Sequence, residues 1–122
     1  MRDIIISLSA ETNEVKLNKY EMGIQGENLQ RQFIVEFTDE FVDGTATLEY
    51  KKKSGVKGTL ALTKGNKEYS AYVVSELTSE EAEVKFQVKI VQTPTTAGTP
   101  IFKSKIFRLG VGEGIDATED IG

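Results

Sequence analysis

Carboxylates are the residues of this chain with the clearest potential for catalysis or metal binding, because they occur in three clusters. The clusters are Asp39, Glu40 and Asp43; Glu80, Glu81 and Glu83; and Asp116, Glu119 and Asp120. Two carboxylates held about 5–9 Å apart across a cleft hydrolyse glycosidic bonds, and a shaped loop with six to eight oxygens binds calcium. None of the clusters has the spacing of a calcium loop, and all lie in predicted turns or in the C-terminal tail. We therefore expect no catalytic site and no metal site.

Nucleophilic catalysis has few candidate residues in this sequence. Cys and His are both absent, which excludes disulfides, thiolate or imidazole metal sites and a Ser-His-Asp triad. Lys53 and Ser54 are adjacent, but such a pair occurs by chance and nothing in the pattern supplies the geometry of a base and its nucleophile. We predict that the protein is not an enzyme and requires no cofactor.

Two further segments have residue types that are used to bind phosphate. Residues 110–114 (GVGEG) are rich in glycine, but they lack the G-x-G-x-x-G spacing and no helix follows them, so we interpret them as a flexible strand exit. Residues 51–53 (KKK) are interpreted as the solvated tip of a hairpin, because the chain as a whole has a net charge of −4.

Composition is typical of one soluble domain with a single core. The chain has 122 residues, of which 39% are apolar and 28% are charged. Its pI of about 4.9 argues against a nucleic-acid partner. The apolar stretch at the N-terminus is too short for a signal peptide, and no stretch approaches the ~18 apolar residues of a membrane span. We expect synthesis in the cytoplasm without a signal peptide, and no membrane insertion.

Period-two alternation of apolar and polar residues predicts that nearly the whole chain is β-structure. Strands are predicted at residues 3–8, 20–24, 29–38, 45–52, 58–63, 68–74, 83–92 and 101–111. Thr78 and Glu81 have the spacing of a capping box and predict one helical turn at residues 78–81. The predicted fold is all-β: a single antiparallel β-sandwich of about seven short strands with at most one helical turn.

The predicted domain organisation is a sandwich at residues 1–111 followed by a flexible acidic exit segment at residues 112–122. Near Phe107 the alternation slips by one residue, and a bulge there would restore the burial of Phe107 or Leu109. The predicted core consists of Phe33, Val35, Phe37, Leu48, Tyr50, Leu60, Val73, Val84, Phe86, Val88, Ile90 and Ile106.

Four segments between about residues 23 and 121 occur in an order that points to a known family. They are GEN at 26–28 with FIV at 33–35, ATLEYK at 46–51 followed by SG at 54–55, LTS at 77–79 before EVKFQV at 83–88, and IFKSKIF at 101–107 followed by GIDATEDI at 114–121. In this order and spacing they resemble the N-terminal domain of the baseplate upper protein family of phages and prophages of Gram-positive bacteria.

The resemblance implies a non-enzymatic structural component of the virion, located in the tail or baseplate, with an anchoring or adaptor role. Other tail or baseplate proteins are the implied partners, and a homo-oligomer is expected. The alternative is a β-sandwich module that binds a carbohydrate or another cell-surface ligand. Such modules stack sugars on exposed aromatic residues; here Trp is absent and Tyr72 alone has outward parity in its strand.

Two apolar segments are candidates for partner contacts. Ile4, Ile5 and Ile6 are consecutive, so both faces of the first strand need cover, and a single sandwich covers one face. Ile101, Phe102 and Ile106 include apolar residues of both parities in the last strand. We expect these six residues to contact another chain. The alternatives are that loops of the same chain cover them, or that a bulge places them all in one core.

Overall fold

The computed structural model describes residues 3–114, which form eleven strands and one short helix. The elements are β1 (Ile4–Leu8), β2 (Val15–Leu17), β3 (Glu21–Ile24), β4 (Gln32–Phe37), β5 (Thr45–Lys52), β6 (Lys57–Ala61), β7 (Thr63–Lys64), β8 (Glu68–Tyr72), α1 (Ser75–Thr78), β9 (Val84–Val91), β10 (Ile101–Lys103) and β11 (Phe107–Gly112). The predicted acidic cluster at residues 116–120 lies outside the described residues.

The strands form two sheets that pack face to face. Sheet 1 has the order β2-β1-β4-β8-β7, and sheet 2 has the order β3-β11-β9-β5-β6, with β10 also paired to β9. Of the described residues, 51% lie in strands and 4% in the helix, so the predicted all-β sandwich is confirmed. Most neighbouring strands are antiparallel, as predicted, but β1 runs parallel to β4 and β11 runs parallel to β3. Both sheets are therefore mixed.

The core lies between the sheets because each long strand alternates apolar and polar residues. In β9 the side chains at 84, 86, 88 and 90 are buried and those between them are not. Phe33 of sheet 1 meets Phe86 of sheet 2 with 5.6 Å between ring centroids. Full burial of one such side chain contributes about 1.5–3 kcal/mol relative to exposure. These contacts between the sheets therefore dominate the stability of the domain.

Most of the predicted core is confirmed, with one clear error. Eleven of the twelve predicted residues are buried or packed against the core, but Ile106 is 59% exposed. The predicted slip in the last strand is real, since Lys105 and Ile106 are both exposed while Phe107 and Leu109 are buried. The predicted last strand is in fact two strands, β10 and β11, which both pair with β9.

Ser104 explains why this one-residue shift in register against β9 leaves the backbone groups of Val88 hydrogen-bonded. Its hydroxyl accepts a hydrogen bond from the backbone N–H of Val88 at 3.0 Å, and its own N–H donates to the Val88 carbonyl at 3.0 Å. A side chain thus replaces a carbonyl as the partner of the Val88 N–H in the ladder. The chain gains one residue at this point and turns the side chain of Ile106 outward, as a bulge does.

The helical turn lies three residues earlier than predicted. Thr78 ends α1 instead of capping it, and its buried hydroxyl donates a hydrogen bond to the carbonyl of Glu27 at 2.5 Å. The side chain of Lys52 holds the other side of the turn: its Nζ donates to the Glu76 carbonyl at 2.7 Å and to the Ser79 hydroxyl at 2.6 Å. Tertiary hydrogen bonds therefore place this turn, and the local capping pattern does not.

Candidate functional site

The six residues predicted to contact a partner fall into two groups in the structure. Ile4 and Ile6 are fully buried in the domain's own core, and Phe102 is 8% exposed and packs on Phe37 with 5.7 Å between ring centroids. Sheet 2 covers the inner side of β1, where Ile4 and Ile6 lie, and Phe37 covers Phe102. All three side chains therefore have partners within the domain. Outward-facing positions remain for Ile5, which is half-buried, and for Ile101 and Ile106, which are 53% and 59% exposed.

Ile5 lies at the centre of the outer side of sheet 1. The strand register places Ile5 beside Ile34 of β4 and Ile34 beside Ser70 of β8. Tyr72, which the sequence predicts to point outward, is 52% exposed at the end of β8 on the same side. We call this surface the Ile5 face; its members are Asp3, Ile5, Ser7, Gln32, Ile34, Glu36, Glu68, Ser70 and Tyr72.

The outer side of sheet 2 has a different character, because six basic side chains are grouped on one part of it. We call this part the lysine face; its members are Glu49, Lys51, Lys57, Thr59, Lys85, Gln87, Lys89, Ile101, Lys103 and Arg108. Glu49 is the carboxylate among these members, and it faces Lys103 with 3.7 Å between the charged atoms. Two more carboxylates border the face: Glu21 of β3 lies beside Gly110, and Glu83 lines a depression with Lys85 and Arg108. A chain with a net charge of −4 therefore carries a locally cationic surface.

Four of these basic residues form a continuous row across four strands. Arg108 of β11 pairs with Lys85 of β9, Lys85 pairs with Lys51 of β5, and Lys51 pairs with Lys57 of β6. Directly paired side chains on one side of a sheet have Cβ atoms about 4.5–5.5 Å apart. Within the described part of the chain none of the four forms an ion pair.

Shallow depressions flank this row. One is lined by Lys57, Thr59, Lys85, Gln87, Lys103 and Ile106, and a second by Lys51, Lys53, Glu83, Lys85 and Arg108. Ile106 thus provides an exposed apolar side chain next to the cations. The alternating pattern of each strand identifies these residues as outward-facing, but the row itself depends on strand pairing across up to 34 residues of sequence.

Members of the two carboxylate clusters that lie in the described residues are engaged in local structure. Asp39 accepts hydrogen bonds from the Ala10 N–H and the Ser9 hydroxyl, each at 2.8 Å. These donors, the Ala10 N–H first, lower the pKa of Asp39 from its usual value. Asp43 pairs with Lys64. No group of three acidic, His or Cys residues in the described region is arranged to hold a metal ion.

The lysine triplet and its neighbour Ser54 also have structural partners. Lys52 is buried, which corrects the interpretation of residues 51–53 as a wholly solvated tip. Its inward parity in β5 is the sequence signal that was missed, since it follows Leu48 and Tyr50 on the core side. Ser54 donates a hydrogen bond to the Glu80 carboxylate at 3.0 Å. The hydroxyl of Ser54 is therefore used to close the turn beside α1.

The glycines of residues 110–114 serve the contact between β11 and β3. A Cβ on Gly114 would lie 2.5 Å from the Gln25 carbonyl oxygen, and one on Gly112 would lie 2.8 Å from the Ile24 side chain. At Gly114 the obstacle is backbone, so a larger residue would force the two segments apart, whereas at Gly112 it is the end of a side chain that can move. Gly110 and Gly112 lie within β11 and pair with β3, which corrects the interpretation of residues 110–114 as a flexible strand exit: residues 110–112 are part of the strand itself.

These observations define a small all-β sandwich whose distinctive surfaces are its two outer sheet faces. The N-terminal domain of phage TP901-1 ORF48, a baseplate protein, has the same fold, with a TM-score of 0.59 over 90% of this chain and 98% of that domain. Sequence identity between the two is 5%. The fold implied by the sequence resemblance is thus confirmed.

Comparisons of the sequence itself give no match: no protein-family model and no curated protein is similar to the chain at a significant level. Within residues 3–114, no helix has the length and apolar character that crossing a bilayer requires.

Proposed function

We propose that this domain is a non-enzymatic structural component of a phage tail or baseplate, where it acts as an anchoring or adaptor domain. The observation that carries the proposal is the extent of the fold match. It spans 98% of the ORF48 domain and 90% of this chain, so the shared part is the whole sandwich and not one sheet of it.

The surface chemistry supports a role in contacts between proteins. Exposed apolar side chains occur on both outer faces, at Tyr72 on the Ile5 face and at Ile101 on the lysine face. Several of the groups that could do chemistry are engaged in holding turns; they are Asp39, Lys52, Ser54 and Glu80. In this proposal Ile5, Ile101 and Ile106 contact neighbouring chains, and the buried residues Ile4, Ile6 and Phe102 hold the strands that present them.

Location in the particle is the decisive test. Antibodies against this domain are used for immunogold labelling of gradient-purified phage particles from the strain that encodes it. We expect label at the end of the tail and the protein among the particle proteins in mass spectrometry. Abundant protein in the lysate with none in the purified particles would overturn the proposal.

The contact role of Ile5 has its own test, in which Ile5→Lys is compared with the core variant Val84→Ala. Ile5 faces outward, so we expect Ile5→Lys to weaken association in sedimentation experiments without lowering the melting temperature. Val84 is 2% exposed, and its truncation lowers the melting temperature instead. A lower melting temperature for Ile5→Lys with unchanged association would contradict the contact role.

The non-enzymatic part of the proposal is tested with hydrolase assays on peptidoglycan and polysaccharide. We expect rates at background for the wild type. Cleavage that disappears in Glu80→Gln would refute it, because Glu80 would then be a catalytic acid and not the partner of Ser54.

A further inference from the structure

The lysine face holds a row of like charges at neighbouring positions, and none of the four residues of the row forms an ion pair in the described part of the chain. Like charges at directly paired positions of a sheet are unfavourable, and the row Arg108, Lys85, Lys51 and Lys57 contains three such pairs. All four side chains are exposed. A surface of this kind lowers its electrostatic energy when a negatively charged surface covers it.

The Ile5 face contains the opposite arrangement. Glu36 of β4 is paired directly with Glu68 of β8, and Asp3 lies on the same side two positions before Ile5. Neither Glu36 nor Glu68 has an ion pair in the described region. Lys16 of β2, beside Ser7, is the nearest basic residue on this side in the register. The two outer faces thus carry directly paired like charges of opposite sign: three basic pairs on the lysine face and one acidic pair on the Ile5 face.

We infer that copies of this chain stack head to tail, with the lysine face of one copy against the Ile5 face of the next. This contact places Lys51 and Lys85 of one copy opposite Glu36 and Glu68 of the other. It also brings Ile106 towards the apolar side chains at the centre of the Ile5 face. The inference rests on the proposed function, since it supplies the self-association expected of a component present in several copies.

A two-fold pairing is disfavoured by the same charges. An isologous contact would place one lysine face on another lysine face, or two Glu36–Glu68 pairs together. Contact between different faces is heterologous, and repeated heterologous contacts form rings or open filaments. The charge pattern therefore determines the polarity of the assembly as well as its surfaces.

The size of the faces sets the strength of the contact. Four strands about 4.8 Å apart, each with about six residues at 3.4 Å per residue, cover roughly 400 Å². Two such faces bury on the order of 800 Å², which is at the weak end of specific interfaces. Stacking of free domains is therefore weak and sensitive to salt, and it becomes effective where a scaffold holds the copies close together.

The test uses two variants, each of which neutralises one face. Lys85→Gln/Arg108→Gln removes charge from the lysine face, and Glu36→Gln/Glu68→Gln removes it from the Ile5 face. The control, Glu40→Gln/Lys67→Gln, changes two exposed charges in turns outside both faces. Circular dichroism checks that each variant is folded, and sedimentation velocity is measured from 50 μM to 1 mM protein in 20 mM and 500 mM NaCl.

We expect the wild type and the control to form species larger than a dimer as concentration rises at 20 mM NaCl, and to dissociate at 500 mM. Each neutralised variant alone stays monomeric. Their 1:1 mixture forms a dimer and nothing larger, because one intact lysine face meets one intact Ile5 face.

Three results would overturn the inference: a wild type that is monomeric at 1 mM in low salt, association that only one of the two variants weakens, or a mixture that does not form a dimer. Each leaves the particle-labelling test unaffected, because a baseplate domain that docks on a different protein would still label the tail.

Discussion

Tyr69 offers the sharpest test of how the sandwich is held together. Its ring is 1% exposed and stacks on Phe41 with 5.4 Å between centroids. Its hydroxyl donates a hydrogen bond to the Val42 carbonyl at 2.7 Å and accepts one from the Gly44 N–H at 3.1 Å. One buried oxygen thus fastens the loop between β4 and β5, which crosses from one sheet to the other.

Tyr69→Phe removes this oxygen and leaves the ring in place. The Gly44 N–H and the Val42 carbonyl then lose their partner in a half-buried loop. Leaving such groups unsatisfied costs about 1–3 kcal/mol. For a domain of this size that corresponds to a fall of roughly 4–12 °C in melting temperature.

Calorimetry or urea unfolding measures this change, and Tyr72→Phe is the matched control. Tyr72 lies three residues further along the same chain segment and is 52% exposed, so its variant is expected within about 0.5 kcal/mol of the wild type. Equal effects of the two substitutions would refute the role assigned to the Tyr69 hydroxyl.

The pH dependence gives a second readout of the same group. Burial raises the pKa of Tyr69 from its usual value of 10.0. A raised pKa means that the neutral hydroxyl stabilises the fold fully below pH 10, and that this stabilisation is lost as pH rises through the folded pKa. The difference in the free energy of unfolding between the wild type and Tyr69→Phe should therefore become smaller above pH 10. A difference that becomes larger above pH 10 would contradict the raised pKa of Tyr69.

Three further substitutions test other parts of the structure. Ser104→Ala leaves the Val88 N–H without its partner and should lower the free energy of unfolding by about 1–3 kcal/mol in urea titrations. The control, Ser70→Ala on the Ile5 face, should change it by less than about 0.5 kcal/mol. Lys52→Met keeps the buried stem but loses the hydrogen bonds to the turn at α1, so we expect the free energy of unfolding to fall by about 1–3 kcal/mol. The exposed Lys53→Met should change it very little, and equal losses for the two variants would contradict the buried role of Lys52. The pKa of Asp39 is lowered from its usual value of 3.8, so its carboxylate stabilises the fold fully above that pH. The melting-temperature advantage of the wild type over Asp39→Asn should shrink as the pH falls from 3.8 through the lowered folded pKa, and an advantage that grows as the pH falls would refute this.

Strands with strict alternation were predictable from the sequence, and those fixed by distant partners were not. The bounds of β5 were predicted correctly, and those of β9 to within one residue at each end, because every second residue from Ala46 and from Val84 is apolar. β2 was missed because it has only three residues and forms against β1. The site of the helical turn could not be predicted, since it depends on Lys52, more than twenty residues away.

The partner-contact prediction shows the same limit. Three consecutive isoleucines do not reveal which of them faces inward, and the structure places Ile5 outward and its two neighbours in the core. Alternation identified Lys51 and Lys85 as outward-facing. Their adjacency, and that of Glu36 and Glu68, appears only when strand register is known.

The ends of the two sheets have a consequence for how this domain behaves at high local concentration. Sheet 1 is bordered by β2 with three residues and β7 with two, and sheet 2 by β3 with four. An edge this short offers a foreign strand only a few backbone hydrogen bonds. β6, at the other border of sheet 2, begins with an exposed lysine, and β10, which pairs with β9 on one side, has three residues. Short or charged edges protect a β-protein from edge-to-edge polymerisation. Many copies can therefore be crowded together without the backbone templating that leads to amyloid.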